Sequence, residues 1–310
     1  MPRRRRLAPE ECYPAGVPGI SVRFVTTRSG ARVRVVEAGG GAGARAGSGD
    51  VLLVHGWGCN AYLFRHLTPA LADAGHRVFV PDLLGHGQSD KPGDPGAYTL
   101  DAMAGHVAEV MDALGLSEAA VVGHSLGGAI ALRLTTRAPD RVRRLALFAP
   151  VGLGRVSAYR LGRAISPRPL TPLVPVLAAR RVFEVVMRLA YGPDHRFSER
   201  DVDEYWAPTR SRDFAIALRH LVHAFDWGRL RVEQLSALRA PTLVVFGSCD
   251  RVVSPSESGR YVSAMPDGRL VVVPRAGHVV PEELPELAVA LLREFLRAGG
   301  DRVARDVATA

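Results

Sequence analysis

A chain of 310 residues, 47% apolar and 23% charged, is not a collagenous, low-complexity or mostly disordered protein. It is long enough to bury a sizeable core, as one large α/β domain or as a domain carrying an insertion. The formal net charge of +9 rests almost wholly on arginine, Lys91 being the only lysine among 40 basic residues, so charge alone is a weak pointer to nucleic acid.

Residues 1–19 open with Arg3, Arg4, Arg5 and Arg6, but Pro9, Glu10, Glu11, Pro14 and Pro18 interrupt the rest of the segment. That pattern lacks the apolar stretch of an export signal and predicts a mobile arm. Short β-branched runs then predict strands at 22–26, 32–37, 51–54, 77–80, 119–122 and 144–148, with helical patterns at 61–74, 100–114 and 126–137. The turn Arg28-Ser29-Gly30 joins the first two strands as an antiparallel hairpin, and the Gly/Ala stretch 39–49 is a spacer. Alternation stops after Pro150 and resumes with strands at 242–246 and 269–273 and a helix at 283–296. The roughly 90 intervening residues are too long for a plain connection and form an inserted, mainly helical unit, with amphipathic stretches at 180–190 and 212–225. The expected organisation is a core of 20–151 and 239–298, a cap over 152–238 and a disordered tail at 299–310. Strands alternating with helices imply a mostly parallel, eight-stranded sheet with helices on both faces.

No segment holds the ~18 consecutive apolar residues of a membrane span. Cys12, Cys59 and Cys249 are too scattered for a disulfide framework or zinc site, so free thiols and a cytoplasmic location are expected.

The chemistry concentrates in four loops that lie just past strands. Gly123-His124-Ser125-Leu126-Gly127 lies between a strand and a helix, where G-x-S-x-G becomes a nucleophile elbow and presents Ser125 on a strained turn. A serine hydroxyl needs a base oriented by a third group. His278 comes after the strand ending near Val273, and Asp250 after the strand ending at Phe246; no carboxylate comes directly after the strand ending at Phe148. The order Ser125, Asp250, His278 is that of the α/β-hydrolases and not that of chymotrypsin or subtilisin. Acyl transfer also places charge on an oxygen, and the backbone N–H groups of Trp57 and Leu126 are the expected donors. His55 and His124 are read mainly as residues that hold these loops, Asp82 as a turn-former, and Cys59 and Cys249 as small buried groups.

His55-Gly56-Trp57-Gly58, Pro81-Asp82-Leu83-Leu84-Gly85-His86-Gly87-Gln88-Ser89, the elbow extended to Gly128, Asp250 and His278 together resemble the α/β-hydrolase superfamily over residues ~20–298. The resemblance implies the α/β-hydrolase fold, with the insertion where that family carries its helical cap. A serine at the elbow departs from the epoxide hydrolases and haloalkane dehalogenases, which use aspartate there. The sequence is closer to the carboxylesterase, lipase and thioesterase-like members.

The expectation is a cofactor-independent serine hydrolase, with no metal, acting on an ester or thioester of a mainly apolar small molecule. Carbon–carbon bond hydrolysis, a lyase or cyclase reaction using the same residues as acid and base, and non-catalytic ligand binding stand as alternatives. His55, Trp206, His220, His223 and Phe225 are candidates for lining the substrate pocket. Of the net +9, +5 falls in residues 152–238, where Arg155, Arg160, Arg163, Arg168, Arg180 and Arg181 precede any acidic residue. This placement points to an anionic or carrier-bound acyl substrate rather than nucleic acid, for which no reader motif is present. Oligomeric state is not legible.

Overall fold

The computed structural model describes residues 5–40, 49–153, 155–156, 179–227 and 232–297. The chain builds β1 (Ile20–Thr26), β2 (Arg32–Ala38), β3 (Asp50–Val54), helix α1 (Leu67–Asp73), β4 (Arg77–Pro81), α2 (Leu100–Ala113), β5 (Ala119–His124), α3 (Leu126–Arg137) and β6 (Val142–Phe148). After β6 come the two-residue strand β7 (Arg155–Val156) and helices α4 (Arg180–Ala190), α5 (Glu199–Trp206) and α6 (Arg212–Ala224). The core then resumes with β8 (Thr242–Gly247), β9 (Val253–Ser254), β10 (Gly268–Val273) and α7 (Pro285–Arg297).

Eight strands form one sheet in the order β1-β2-β4-β3-β5-β6-β8-β10, while β7 pairs with β9. β1 and β2 pair antiparallel, as do β2 and β4, and all pairs from β4 onward in the sheet are parallel. This is the α/β-hydrolase fold. Side chains alternate across each strand, so Leu52, Val54, Val244 and Phe246 pack on one face with Met103, Val107 and Ile130 of α2 and α3. Val51, Leu53, Leu243 and Val245 pack on the other with Leu67, Leu71 and Leu292 of α1 and α7. From β3 the chain moves outward to β4 and then returns to the far side of β3 as β5. The carboxyl ends of β3 and β5 therefore border a topological switch point, where open α/β sheets leave a crevice.

One predicted helix is interrupted and another starts slightly later. The span 61–74 divides into a 3₁₀ turn, Ala61–Phe64, and α1; the helix expected over 283–296 is α7, which a separate short helical turn, Val280–Glu283, precedes. Pro69 and Pro285 supply the reason: proline lacks the N–H and collides with the preceding turn inside a helix, but is tolerated in a first turn, where each one sits.

Residues 5–19, within the expected mobile arm, pack on both the core and the insertion. Tyr13 is buried, its N–H donates to Glu204 Oε1 at 2.9 Å and its carbonyl accepts from Arg34. The Gln88 amide donates to the Pro9 carbonyl at 3.0 Å, and Arg200 to the Glu11 carbonyl at 2.6 Å. The predicted tail 299–310 and most of the 39–49 spacer lie outside the described residues. Among the described residues no helix is long and apolar enough to cross a membrane, and all three cysteines are free.

Candidate active site

Ser125 is the single residue between β5 and α3, and its backbone lies at φ 54 and ψ −117. A non-glycine residue held there costs about 1–3 kcal/mol and persists only where its surroundings over-determine it. Here the Ser125 N–H donates to Phe148 O at 2.9 Å, and its carbonyl accepts from Gly128 and Val151 N–H, each at 3.0 Å. Glycine at 127 is also required, because a Cβ there would stand 2.2 Å from the Val54 carbonyl oxygen. Together these contacts drive the start of α3 against the end of β3 and fix Ser125 at the switch point.

Asp250 lies three residues beyond β8. Its Oδ1 accepts from Val252 and Val253 N–H at 2.8 and 2.9 Å, which leaves Oδ2 for His278 Nδ1 at 2.8 Å. Both side chains are almost fully buried. A carboxylate on Nδ1 keeps the proton there and leaves Nε2 as the acceptor, the tautomer that a general base requires. The His278 N–H donates to Ala190 O at 2.6 Å, and its carbonyl pairs with His124 Nε2 at 3.0 Å. Burial, with His278 beside it, pushes the His124 pKa well below the ordinary value, so His124 is neutral and donates from Nε2. Through this bond the residue next to Ser125 holds the loop of His278. The structure thus pairs Asp250 with His278 and ties the loop of His278 to the residue beside Ser125, all three residues lying on loops at the carboxyl ends of the strands.

The loop after β3 comes against the same place, since a Cβ on Gly56 would lie 2.8 Å from His124 Nδ1 and 3.1 Å from Ser125 Cβ. Trp57 is next in the chain, with its indole N–H donating to Leu218 O of α6 at 3.2 Å. Leu126 is the first residue of α3, so its N–H has no carbonyl partner within the helix and lies beside the serine.

His55 does not line a pocket. It is fully buried, Nδ1 pairs with Gly56 O at 2.9 Å, Nε2 accepts from Leu83 N–H at 2.9 Å, and burial lowers its pKa. Asp82, read as a turn-former, is a buried anchor: Oδ1 accepts from Ala61 N–H and Oδ2 from Gln88 N–H, both at 2.9 Å, and Arg34 Nη1 lies 3.2 Å from Oδ2.

The remaining lining candidates scatter. Phe225 is buried in the core beside Trp227, His220 stacks on Tyr98 with ring centroids 5.7 Å apart, and Trp206 carries the Arg6 guanidinium over its ring at 4.7 Å. His223 is half-buried in the last turn of α6. Of the arginines at the start of the insertion, Arg180 is paired with Glu184, Glu199 and Asp203, so its charge is met within the insertion. Arg181 is exposed, whereas Arg160, Arg163, Arg168 and the side chain of Arg155 lie outside the described residues.

Sequence reasoning missed the polar network joining the insertion to the core. Glu282 accepts from Tyr205 and Tyr191 hydroxyls at 2.6 and 2.8 Å and pairs with Arg65; Arg65 also meets Asp201 at 2.9 Å, which accepts from the Tyr62 hydroxyl at 2.7 Å. Nothing in the local pattern signals it, because its members come from four separate segments.

The chain belongs to the α/β hydrolase fold family, whose pattern matches residues 50–214. It is 33% identical over 272 residues to a dihydrolipoyllysine-residue acetyltransferase component of an acetoin cleaving system from Pseudomonas putida, covering 86% of this chain and 67% of that one. It is 30% identical to a 2-hydroxy-6-oxo-6-phenylhexa-2,4-dienoate hydrolase from Burkholderia cepacia, covering 82% of this chain and 90% of that one. Among solved structures it is similar to a thermophilic esterase from Thermogutta terrifontis, with a TM-score of 0.71, 26% identity and coverage of 89% and 98%.

Proposed function

We propose that the protein is a cofactor-independent serine hydrolase that cleaves an ester or thioester of a mainly apolar acyl compound. The observation that carries this reading is the buried 2.8 Å contact of His278 Nδ1 with Asp250 Oδ2, tied through His124 to the strained Ser125. His278 Nε2 takes the Ser125 hydroxyl proton as Oγ attacks the carbonyl carbon, and Asp250 stabilises the imidazolium that forms. The oxyanion draws hydrogen bonds from the N–H groups of Trp57 and Leu126. His278 then protonates the leaving alcohol or thiol, and water, deprotonated by the same imidazole, releases the acid from the acyl-enzyme. Similarity to the esterase supports this reading. The test is a chain-length series of acyl esters and thioesters, including a carrier-bound acyl group, run with a fluorophosphonate probe. Labelling of the wild type but not of Ser125→Ala is expected; equal labelling of both would overturn it.

A second reading, carbon–carbon bond hydrolysis by the same residues, is favoured by the dienoate hydrolase relative. Loss of the absorbance of 2-hydroxy-6-oxo-6-phenylhexa-2,4-dienoate on incubation, together with slow turnover of every ester in the series, would select it over the first.

A further inference from the structure

The loop that carries His278 is gripped by a carboxylate that the reaction scheme does not use. Glu283, buried in the turn Val280–Glu283, reaches back toward the residues on both sides of the histidine. Its Oε2 accepts from Gly277 N–H at 2.8 Å, and its Oε1 from Gly277 and Val279 N–H, each at 3.1 Å. Oε2 also accepts from Gly192 N–H at 2.8 Å. Gly192 stands just beyond α4, whose Ala190 carbonyl takes the N–H of His278 itself at 2.6 Å. Three successive amides, at 277, 278 and 279, are therefore all bound, two by one carboxylate and the third by the insertion. The two segments meet backbone to backbone: a Cβ on Gly277 would lie 2.3 Å from Ala190 O and 2.5 Å from Gly192 N.

A buried carboxylate whose oxygens are met by backbone N–H groups makes short, charge-assisted hydrogen bonds that fix the position of the chain supplying them. We propose that Glu283 is a positioning residue for His278, setting the place of the imidazole between Asp250 and Ser125 and linking that place, through Gly192, to the insertion. The proposal rests on the serine-triad reading. It makes the geometry of the base depend on how the insertion is seated.

Glu283→Gln tests it, because the amide keeps the size and one acceptor oxygen but turns an NH₂ group toward N–H donors. The expected result is a cooperatively folded protein whose kcat on its best ester falls about ten- to a hundredfold, as small misplacements of a catalytic group do. KM should stay within about twofold, and the acidic limb of the kcat/KM profile, which reports the free base, should shift. In the unaltered protein, the Gly277 and Val279 amides should exchange with solvent as slowly as those of β10. Exchange at the rate of an exposed loop would overturn the proposal, and this measurement decides it should the variant not fold. Wild-type kcat and pH profile in Glu283→Gln, with Ser125→Ala inactive, would overturn the positioning role and leave the triad standing. Full activity in Ser125→Ala would instead remove the triad reading on which the proposal depends.

Discussion

The elbow and the insertion both meet the loop of His278, and the balance of forces that holds each differs. On the elbow side, contact is between backbones and small residues: Ser125 is pinned by Phe148, Gly128 and Val151, and Gly127 allows α3 to touch β3. On the insertion side, the backbone contacts of Ala190 and Gly192 with that loop are backed by buried side chains, with Arg65, Asp201 and Glu282 and the hydroxyls of Tyr62, Tyr191 and Tyr205 spanning the junction. Backbone packing has little latitude, because interiors are close-packed and a single Cβ is felt. A buried ionic network gives weak net stability, yet losing one member leaves the others without compensation. The elbow is therefore fixed chiefly by backbone packing, while the seating of the insertion depends also on keeping its buried charges matched.

This contrast predicts that chemistry and stability can be separated. Asp250→Asn should lower kcat by about 10⁴-fold, because an amide that accepts from Val252 and Val253 turns the wrong group toward His278 Nδ1. Its melting temperature should stay near that of the wild type, read by calorimetry beside steady-state kinetics. A large loss of stability would mean that Asp250 is a structural anchor.

The core side of the site should in turn respond to acid. Burial opposes the charge of Asp82, but the Arg34 guanidinium, His55 and the backbone N–H groups of Gln88 and Ala61 overcome it and lower its pKa. Burial, aided by neighbouring His55, pushes His86 down to about 3. Both pKa values are depressed on folding, so their stabilising contributions are complete above the unfolded values, about 3.9 for aspartate and 6.5 for histidine. They are lost as pH falls toward the folded values. Melting temperature should therefore decline below about pH 6.5, and His86→Phe should flatten the part of that decline above pH 4. An unchanged slope would show that other groups dominate.

Asp201→Ala probes the opposite side. It removes a partner of Arg65 and Tyr62 from α5 but leaves Glu282 on Arg65, so about 3 kcal/mol of stability should be lost, the lower end for a broken buried pair. The rate of Ser125 labelling by a fluorophosphonate in the folded variant should change only a few-fold. A collapse of labelling would show that elbow and insertion act as one unit.

The same division governs what could be read in the sequence. All eight strands of the sheet were legible because short, β-branched apolar runs such as Val51, Leu52, Leu53 and Val54 carry their own signal, and Ser125 because glycines flank it between a strand and a helix. The packing of residues 5–19 was not, since Tyr13 is held by Glu204, 191 residues away. Nothing in the local pattern marks Glu282 or Glu283, and only the tertiary fold shows both to be buried. The spacing of His220 and Phe225 in the insertion suggests one pocket, but the fold turns one onto Tyr98 and the other into the core.

Trp57 is where the two kinds of contact fall on one residue. Its backbone N–H belongs to the proposed oxyanion site, while its indole N–H donates to Leu218 O of α6 and the residue is 37% exposed. Trp57→Phe keeps the backbone donor and much of the apolar ring but deletes the bond to the insertion. A neutral hydrogen bond of this kind is worth about 1 kcal/mol. The expected outcome is a stability loss of about that size, a reduction in kcat of about two- to threefold, and a larger rise in KM for the longest acyl chains than for the shortest. The reason is that the loop loses its tie to α6 while the oxyanion donor remains. A drop in kcat of a hundredfold or more with KM unchanged would mean that the indole bond to α6 holds the oxyanion geometry itself, so that the insertion takes part in forming the catalytic site.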